Sequence, residues 1–238
     1  LFEHDRSYIC QNNDNRIFFM IPYEDKFTLI GTTDIDHGQS AGKVEISEEE
    51  KLYICKSANE YLNTEISLKD IVWSYSGVRP LYDDGASEAQ DATRDYVIKA
   101  EEQDSSLMVN IFGGKITTYR RLSESILKHV EGFLGKRGNS WTEKSSLPGG
   151  DIAVDGQLDL QNKIQMRYPF LTEETIKRLV RSYGTISFDI YGDAENIDSL
   201  GDHFGSGLYE REVKYLIREE WSRTSDDILF RRSKLGLS

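Results

Sequence analysis

Phe112-Gly113-Gly114-Lys115-Ile116-Thr117-Thr118-Tyr119-Arg120 runs from an apolar strand through two glycines into an amphipathic helix, and the rest of the chain can be laid out on either side of it. Upstream, Leu107 to Phe112 reads as a buried strand. Downstream, Tyr119, Leu122, Ile126, Val130 and Phe133 recur at spacings of three and four until Gly135, the pattern of a helix with one apolar face and a glycine stop. Such a junction gathers backbone N–H groups that have no intrahelical acceptor. Gly113 and Gly114 let a ligand approach the backbone, Lys115 brings a point charge, Thr117 and Thr118 bring hydroxyls, and the helix dipole adds partial positive charge. The stretch suits an anion or the polar edge of a ring, and by its residues alone it equally suits a plain strand-to-helix turn. It is not a P-loop, which requires a glycine five residues before Gly114 and Ser or Thr after Lys115, where Val109 and Ile116 stand.

Toward the N-terminus, Arg16 to Pro22 and Phe27 to Thr32 are β-rich runs separated by Tyr23-Glu24-Asp25-Lys26, which predicts an antiparallel hairpin. Ser47-Glu48-Glu49-Glu50 carries the Ser and Glu of a capping box, and Leu52, Cys55, Ala58 and Leu62 follow at helical spacing, so a surface helix of about four turns is expected. Ile71 to Val78, Asp95 to Lys99 and Leu107 to Phe112 read as further strands, which makes the first 135 residues mixed α and β. From Trp141 the texture changes. Pro148-Gly149-Gly150-Asp151 reads as a linker, giving expected domains of 1–141 and 142–238. In the second, Thr172 caps a helix carrying Ile176, Leu179, Val180 and Tyr183 up to Gly184. Two more helices are expected, from about Leu208 to Glu220 and from Ser225 to Lys234, the latter headed by Thr224 and Asp227, so this part is read as a small helical bundle.

The chain has 238 residues, 38% of them apolar, enough to bury a core. Its formal charge of −12 is spread along the chain and disfavours non-specific binding to phosphate backbones, so no nucleic-acid partner is expected. Cys10 and Cys55 are too few for a disulfide framework and fit a reducing compartment, while His4, His37, His129 and His203 lack metal-ligand spacing. No 18-residue apolar run crosses a membrane, and Leu1 to Asp5 lacks the shape of a signal peptide. A start without Met, directly ahead of a strand, leads to the expectation of a piece of a longer protein.

Three cations at strand edges are site candidates. Arg79, in Ser76-Gly77-Val78-Arg79-Pro80-Leu81, offers a fork of donors to a carboxylate or phosphate, with pairing to Asp83 or Asp84 as the plainer alternative. Arg94 stands before the next strand, beside Asp95, and Lys115 is the third; together they can converge on one cleft for a small anion. Asp34, Asp36 and His37 after Gly31-Thr32-Thr33 fit a hydrogen-bonded turn better than an acid/base or metal cluster. Trp73, Tyr75 and Tyr96 fit either an aromatic pocket wall or a core.

Five stretches in this order, IPYEDKFTLIGTTD (Ile21 to Asp34), WSYSGVRPL (Trp73 to Leu81), ATRDY (Ala92 to Tyr96), FGGKITTYR (Phe112 to Arg120) and LPGGD (Leu147 to Asp151), make the chain resemble the FAD-dependent, quinone-linked glycerol-3-phosphate dehydrogenases. Arg223 to Asp227 and Arg231 to Leu237 are similar to that family's terminal helical region. The resemblance covers only the family's C-terminal part. It implies α/β plus α architecture: the C-terminal portion of a Rossmann-type, D-amino-acid-oxidase-like FAD and substrate domain of mixed strands and helices, followed by a small all-α cap domain. The family's G-x-G-x-x-G fingerprint for the ADP half of FAD has no match here, and His4 does not match the family's catalytic histidine. Carried over by position, Gly113, Gly114, Lys115, Ile116, Thr117 and Thr118 would face the flavin, and Arg79, Arg94 and Lys115 would form the catalytic cation set around the substrate. The implied reaction oxidises sn-glycerol 3-phosphate to dihydroxyacetone phosphate, with electrons leaving through FAD to a quinone. The implied partners are glycerol 3-phosphate, a quinone, a second copy in a homodimer, and, through the full-length protein, the inner face of the cytoplasmic membrane. The isolated chain is expected to be inactive because half of the FAD pocket lies elsewhere. A flavoprotein acting on an amine or a 2-hydroxy acid is the enzymatic alternative, and a non-catalytic helical partner-binding module is the other.

Overall fold

The computed structural model describes residues 1–24, 26–35, 42, 44–82 and 95–238. The chain divides into two compact units, Leu1–Glu143 and Lys144–Ser238.

The first unit opens with β1 (Tyr8–Gln11), β2 (Ile17–Tyr23) and β3 (Phe27–Gly31), an antiparallel sheet in that order. Tyr23 pairs with Phe27, so the expected hairpin forms with a connection one residue shorter than read from sequence. Alternation on β2 separates its faces: Phe18 and Met20 are 2% exposed, whereas Ile17 and Phe19 face outward. Helix α1 (Glu48–Asn59) packs on the inner face, and both halves of the Ser47–Glu50 capping box are made. Cys55 and Ala58 are buried as expected, but Leu52 is exposed; its place is taken by Ser57 and Tyr53, which bond the amide of Asn12 at the end of β1 (2.8 and 2.7 Å). Cys10, Phe18, Met20 and Ala58 form the core, with Ile30, Leu62 and Ile66 against it.

Strands β4 (Tyr96–Gln103) and β5 (Ser106–Gly113) form a separate hairpin, in register from Tyr96 opposite Gly113 to Gln103 opposite Ser106. Its two-residue turn, Asp104-Ser105, has both φ angles positive (48° and 63°), the conformation that matches strand twist. The expected strand over Ile71 to Val78 is not formed. These residues alternate in sequence but find no ladder partner among the described residues, and Val72, Tyr75 and Val78 stay exposed. Helix α2 (Tyr119–Leu134) runs to Gly135 as predicted, yet none of its residues is buried: Leu122, Ile126, Val130 and Phe133 are half-covered, and Tyr119 is exposed.

The second unit is helical: α3 (Gln157–Arg167), α4 (Glu173–Tyr183), α5 (Ser187–Tyr191) and α6 (Glu210–Glu219). Thr172 caps α4 through the Thr175 N–H, as its sequence position predicts; α3 and α5 are additional to the helices expected from sequence. The expected α-helix over Ser225 to Lys234 is wound as a π-helix over Asp227–Arg232, with the Ser233 N–H reaching the Ile228 carbonyl five residues back (2.9 Å). Its head is as predicted: Thr224 and Asp227 cap each other (2.9 and 3.2 Å). Pro148-Gly149-Gly150-Asp151 is not a loose linker, because the Thr185 N–H donates to the Gly149 carbonyl (3.1 Å) and the Thr185 hydroxyl donates to Asp151.

Inside a core of Leu160, Ile164, Leu179, Tyr191 and Leu216 lies one ion pair that the sequence reading missed. Arg178 of α4 donates to both oxygens of Glu212 of α6 (2.5 and 2.7 Å) and to the Gly207 carbonyl (3.0 Å), and the Tyr183 hydroxyl donates to the same carboxylate (2.7 Å). Glu212 is wholly buried. Burial opposes the Arg178 charge, and the Glu212 contact more than restores it. Burial, and then the Glu212 charge, raise the Tyr183 hydroxyl well above the ordinary tyrosine range.

Glu212→Ala strands Arg178 in the core and should cost about 3–5 kcal/mol of unfolding free energy, against less than about 0.5 kcal/mol for Glu173→Ala in the exposed pair with Lys177. Urea unfolding followed by helical circular dichroism measures both. Tyr183 also fixes a pH dependence. Its stabilising effect is present below the unfolded tyrosine pKa of about 10 and is lost as the pH rises above it, because the unfolded chain releases a proton that the folded chain keeps. The fall in stability above about pH 10 should therefore be shallower in Tyr183→Phe, as read by unfolding midpoints from pH 8 to 11.

Candidate functional site

Two glycines bring the site segments together. Gly113 has φ +67°, and a Cβ there would lie 3.1 Å from the Pro80 carbonyl oxygen and 3.5 Å from the Tyr82 nitrogen, so the end of β5 lies directly on the Arg79-Pro80-Leu81-Tyr82 backbone. Gly114 has φ +99°, and a Cβ there would lie 3.0 Å from that of Tyr96. Both positions favour glycine twice over, by backbone conformation and by space. A short 3-10 turn, Ile116–Thr118, then leads into α2. The N–H groups of Lys115, Ile116 and Thr117 donate to no described residue, and Ile116 is 88% exposed. The Thr118 hydroxyl and N–H both turn back to the Lys115 carbonyl (2.7 and 2.9 Å), which shapes the turn and leaves Thr117 as the outward hydroxyl.

Arg79 lines a broad cleft of about 1490 Å³, together with Thr32, Thr33, Asp34, Trp73 and Tyr75. Common small-molecule pockets hold roughly 300–1,000 Å³, so there is room for more than one small ligand. Arg79 Nη1 donates to Asp34 Oδ2 at 2.8 Å. Its sequence-proposed partners, Asp83 and Asp84, lie outside the described residues, as do Asp36, His37 and Arg94. Of the three expected cations only Arg79, among the described residues, is found lining this cleft: Lys115 is not among its lining residues, and the contact between the two segments is that of Gly113 with the Pro80 backbone. No turn is assigned at Asp34, and the rest of the expected hydrogen-bonded turn, Asp36 and His37, lies outside the described residues; before it the Thr32 hydroxyl donates to the Thr33 carbonyl (2.7 Å), and the Thr33 hydroxyl donates to Glu50 of α1 (2.6 Å). Burial opposes the charge on Glu50, and its bonds from Thr33 and Ser47 outweigh that, holding its carboxyl below the ordinary range. Trp73 and Tyr75 stand side by side in the cleft wall, ring centres 5.1 Å apart. Tyr96 sits instead at the glycine junction, its hydroxyl 3.4 Å from Ser125.

Lys99 was not anticipated. It stands over the rings of Tyr82 and Phe112 (5.1 and 5.7 Å) and is held above the ordinary lysine range by its bond to Tyr82. The alternation of β4 placed Lys99 on a face, but nothing local indicated the ring it would meet. Among the described residues no group of His, Cys, Asp and Glu has the arrangement of a metal site.

Residues 3–120 match the family of FAD dependent oxidoreductases, and residues 140–238 match the C-terminal domain of alpha-glycerophosphate oxidase. The chain is 42% identical over 233 residues to the aerobic glycerol-3-phosphate dehydrogenase of Escherichia coli K12, covering 98% of this chain and 46% of that one. The chain belongs to the FAD dependent oxidoreductases. The D-erythritol 1-phosphate dehydrogenase of Brucella abortus is 39% identical over 228 residues, 96% of this chain and 45% of that one. The mitochondrial glycerol-3-phosphate dehydrogenase of Rattus norvegicus is 31% identical over 234 residues, 94% and 31% of the respective chains. The chain thus spans about half the length, or less, of these relatives.

Gly114→Ala forces a side chain into the left-handed region against Tyr96 and should destabilise the first unit by about 1–3 kcal/mol. Thermal unfolding compared with Gly132→Ala, where a Cβ meets nothing within 4 Å, isolates the effect from mere loss of glycine.

Proposed function

We propose that the chain is the C-terminal portion of a flavoprotein dehydrogenase that oxidises sn-glycerol 3-phosphate to dihydroxyacetone phosphate. The observation that carries this is the seat of Gly113 on the Pro80 backbone, which puts the cation Arg79 one residue away from the glycine junction that precedes α2. The junction fits a flavin edge: three N–H groups, at Lys115, Ile116 and Thr117, donate to no described residue, and two glycines leave the backbone approachable. Bound FAD would accept the hydride from C2 of the substrate and pass the electrons on to a quinone.

This chain's residues do the positioning. The N–H groups of Lys115, Ile116 and Thr117, the Thr117 hydroxyl and the Lys115 ammonium would hold the polar flavin edge and stabilise the negative charge it gains. Gly113, Gly114 and Thr118 shape that cradle. Arg79 would grip the phosphate from the cleft wall, with Arg94 and Lys115 as further cations, Arg94 being assigned by resemblance. Phosphate clamped by Arg is favoured over the carboxylate of a 2-hydroxy acid, because the chain is 39% and 42% identical to enzymes named for phosphorylated polyols. On this reading residues 1–141 are the C-terminal portion of a Rossmann-type, D-amino-acid-oxidase-like domain whose remainder binds the ADP half of FAD, and residues 142–238 are the helical domain. No helix among the described residues is long and apolar enough to cross a membrane, and attachment of the full-length enzyme is assigned as peripheral, on the inner face of the cytoplasmic membrane, as a homodimer.

Anaerobic mixing of the FAD-loaded full-length protein with glycerol 3-phosphate should bleach the flavin at 450 nm, with D-erythritol 1-phosphate slower and lactate inert; bleaching by lactate alone would contradict the assignment. Arg79→Ala should lower kcat/KM for glycerol 3-phosphate about 10- to 150-fold, the value of a charged hydrogen bond, at unchanged FAD content. Unchanged kinetics in that variant would remove Arg79 from the site.

A further inference from the structure

Arg79 lies on a stretch, 71–82, that has no regular secondary structure and no strand partner among the described residues, and its side chain is 48% exposed. Such a side chain carries rotamer entropy that a ligand would have to overcome if nothing held it beforehand. Its backbone is partly set by Pro80, which restricts the preceding residue, and by the Leu81 N–H donating to the Arg79 carbonyl (3.0 Å). Its guanidinium is set by something else. Asp34 Oδ2 lies 2.8 Å from Nη1, while Nε and Nη2 are engaged by no described residue. Asp34 is itself anchored: it follows Thr33, whose hydroxyl is bonded to Glu50 at 2.6 Å, and Glu50 is the N3 residue of the α1 capping box, bonded to the Ser47 N–H at 2.9 Å. A line of short contacts thus runs from the start of α1 to the guanidinium of a residue on a segment with no ladder partner among the described residues.

We infer that Asp34 is a positioning residue for Arg79, holding one edge of the guanidinium through the Ser47–Glu50–Thr33 anchor so that the other edge is presented to the substrate phosphate in the cleft. The inference rests on the proposed function and goes beyond it, since that reading gives Asp34 no part in holding substrate or flavin. An acidic residue beside an anion-binding Arg reads at first as a competitor. Geometry favours support, because an Arg fork can accept a carboxylate on one edge and a phosphate on the other, and the carboxylate fixes the plane in which the second edge points.

The test is steady-state kinetics of the full-length holoenzyme with Asp34→Ala and Asp34→Asn, each also combined with Arg79→Lys. Asp34→Ala should raise KM for glycerol 3-phosphate about fivefold, the upper range for a partly exposed ion pair, with kcat changed less than about twofold. Asp34→Asn, which keeps an acceptor oxygen, should give a smaller rise. In the Arg79→Lys background, where the fork is gone, Asp34→Ala should add almost nothing to KM. A lowered KM would make Asp34 a competitor and overturn the inference. So would an equal rise in the Arg79→Lys background, or a fall in kcat that tracks FAD content at constant KM, the sign of a purely structural residue. Failure of glycerol 3-phosphate to reduce the wild-type flavin at all would strike the functional reading instead, and the inference with it.

Discussion

A side chain at residue 113 would run into a carbonyl oxygen. That steric fact, a Cβ 3.1 Å from the Pro80 oxygen at a φ of +67°, is the constraint on which the arrangement of the site depends. The stretch ending in Arg79-Pro80-Leu81-Tyr82 forms no strand of its own, so its placement comes from what it leans on: the end of β5 at Gly113, the Tyr82 ring near Phe112 (5.6 Å), and Asp34 against the guanidinium. Glycine at 113 lets two backbones meet where a larger residue would be strained by its positive φ and would press on the Pro80 carbonyl, and the same pair of glycines leaves the following N–H groups approachable. One local feature thereby sets both the seat of the Arg79 segment and the exposure of the N–H groups that follow the glycines.

The helical unit is organised around a different problem, a carboxylate placed in an apolar core. Glu212 is fully buried and receives two donors from Arg178 and one from Tyr183, so α4 and α6 are held in one relative register by directional bonds inside an otherwise non-directional packing of Leu, Ile and Tyr. Such a pair is a weak source of net stability compared with an apolar core, yet it penalises every arrangement that separates the two charges. Around it, Arg211 ties α6 to the carbonyls of Tyr191 and Ser199 (2.7 and 2.8 Å), so the ends of the neighbouring elements are also held by charged hydrogen bonds.

What the sequence revealed and what it hid follow from distance along the chain. The Ser47–Glu50 box, the Thr172 and Thr224 caps, the β2–β3 hairpin and the glycine junction are signals confined to a few residues, and each appears in the structure. The resemblance of five ordered stretches to FAD-dependent glycerol-3-phosphate dehydrogenases is likewise matched by the family comparisons. Hidden were pairings between distant residues: Arg178 with Glu212, Asp34 with Arg79, Lys99 with Tyr82. Arg178 did carry a signal, a charge set among Ile176, Leu179 and Val180 on a helix, where a buried partner was needed. The strand expected over Ile71 to Val78 failed because alternation describes a residue's faces and says nothing of a ladder partner, and the α-helix expected over Ser225 to Lys234 became a π-helix because Ser233 bonds five residues back to Ile228.

The central claim, that Arg79 and the Gly113–Thr118 junction face one ligand pair, is tested most directly by a crystal structure of the FAD-loaded full-length protein with glycerol 3-phosphate bound. The account predicts the phosphate within hydrogen-bond distance of Arg79 Nη2 or Nε, Asp34 still on Nη1, and the N–H groups of Lys115 to Thr117 turned to the flavin ring. A flavin bound away from that junction, or a phosphate held without Arg79, would contradict it.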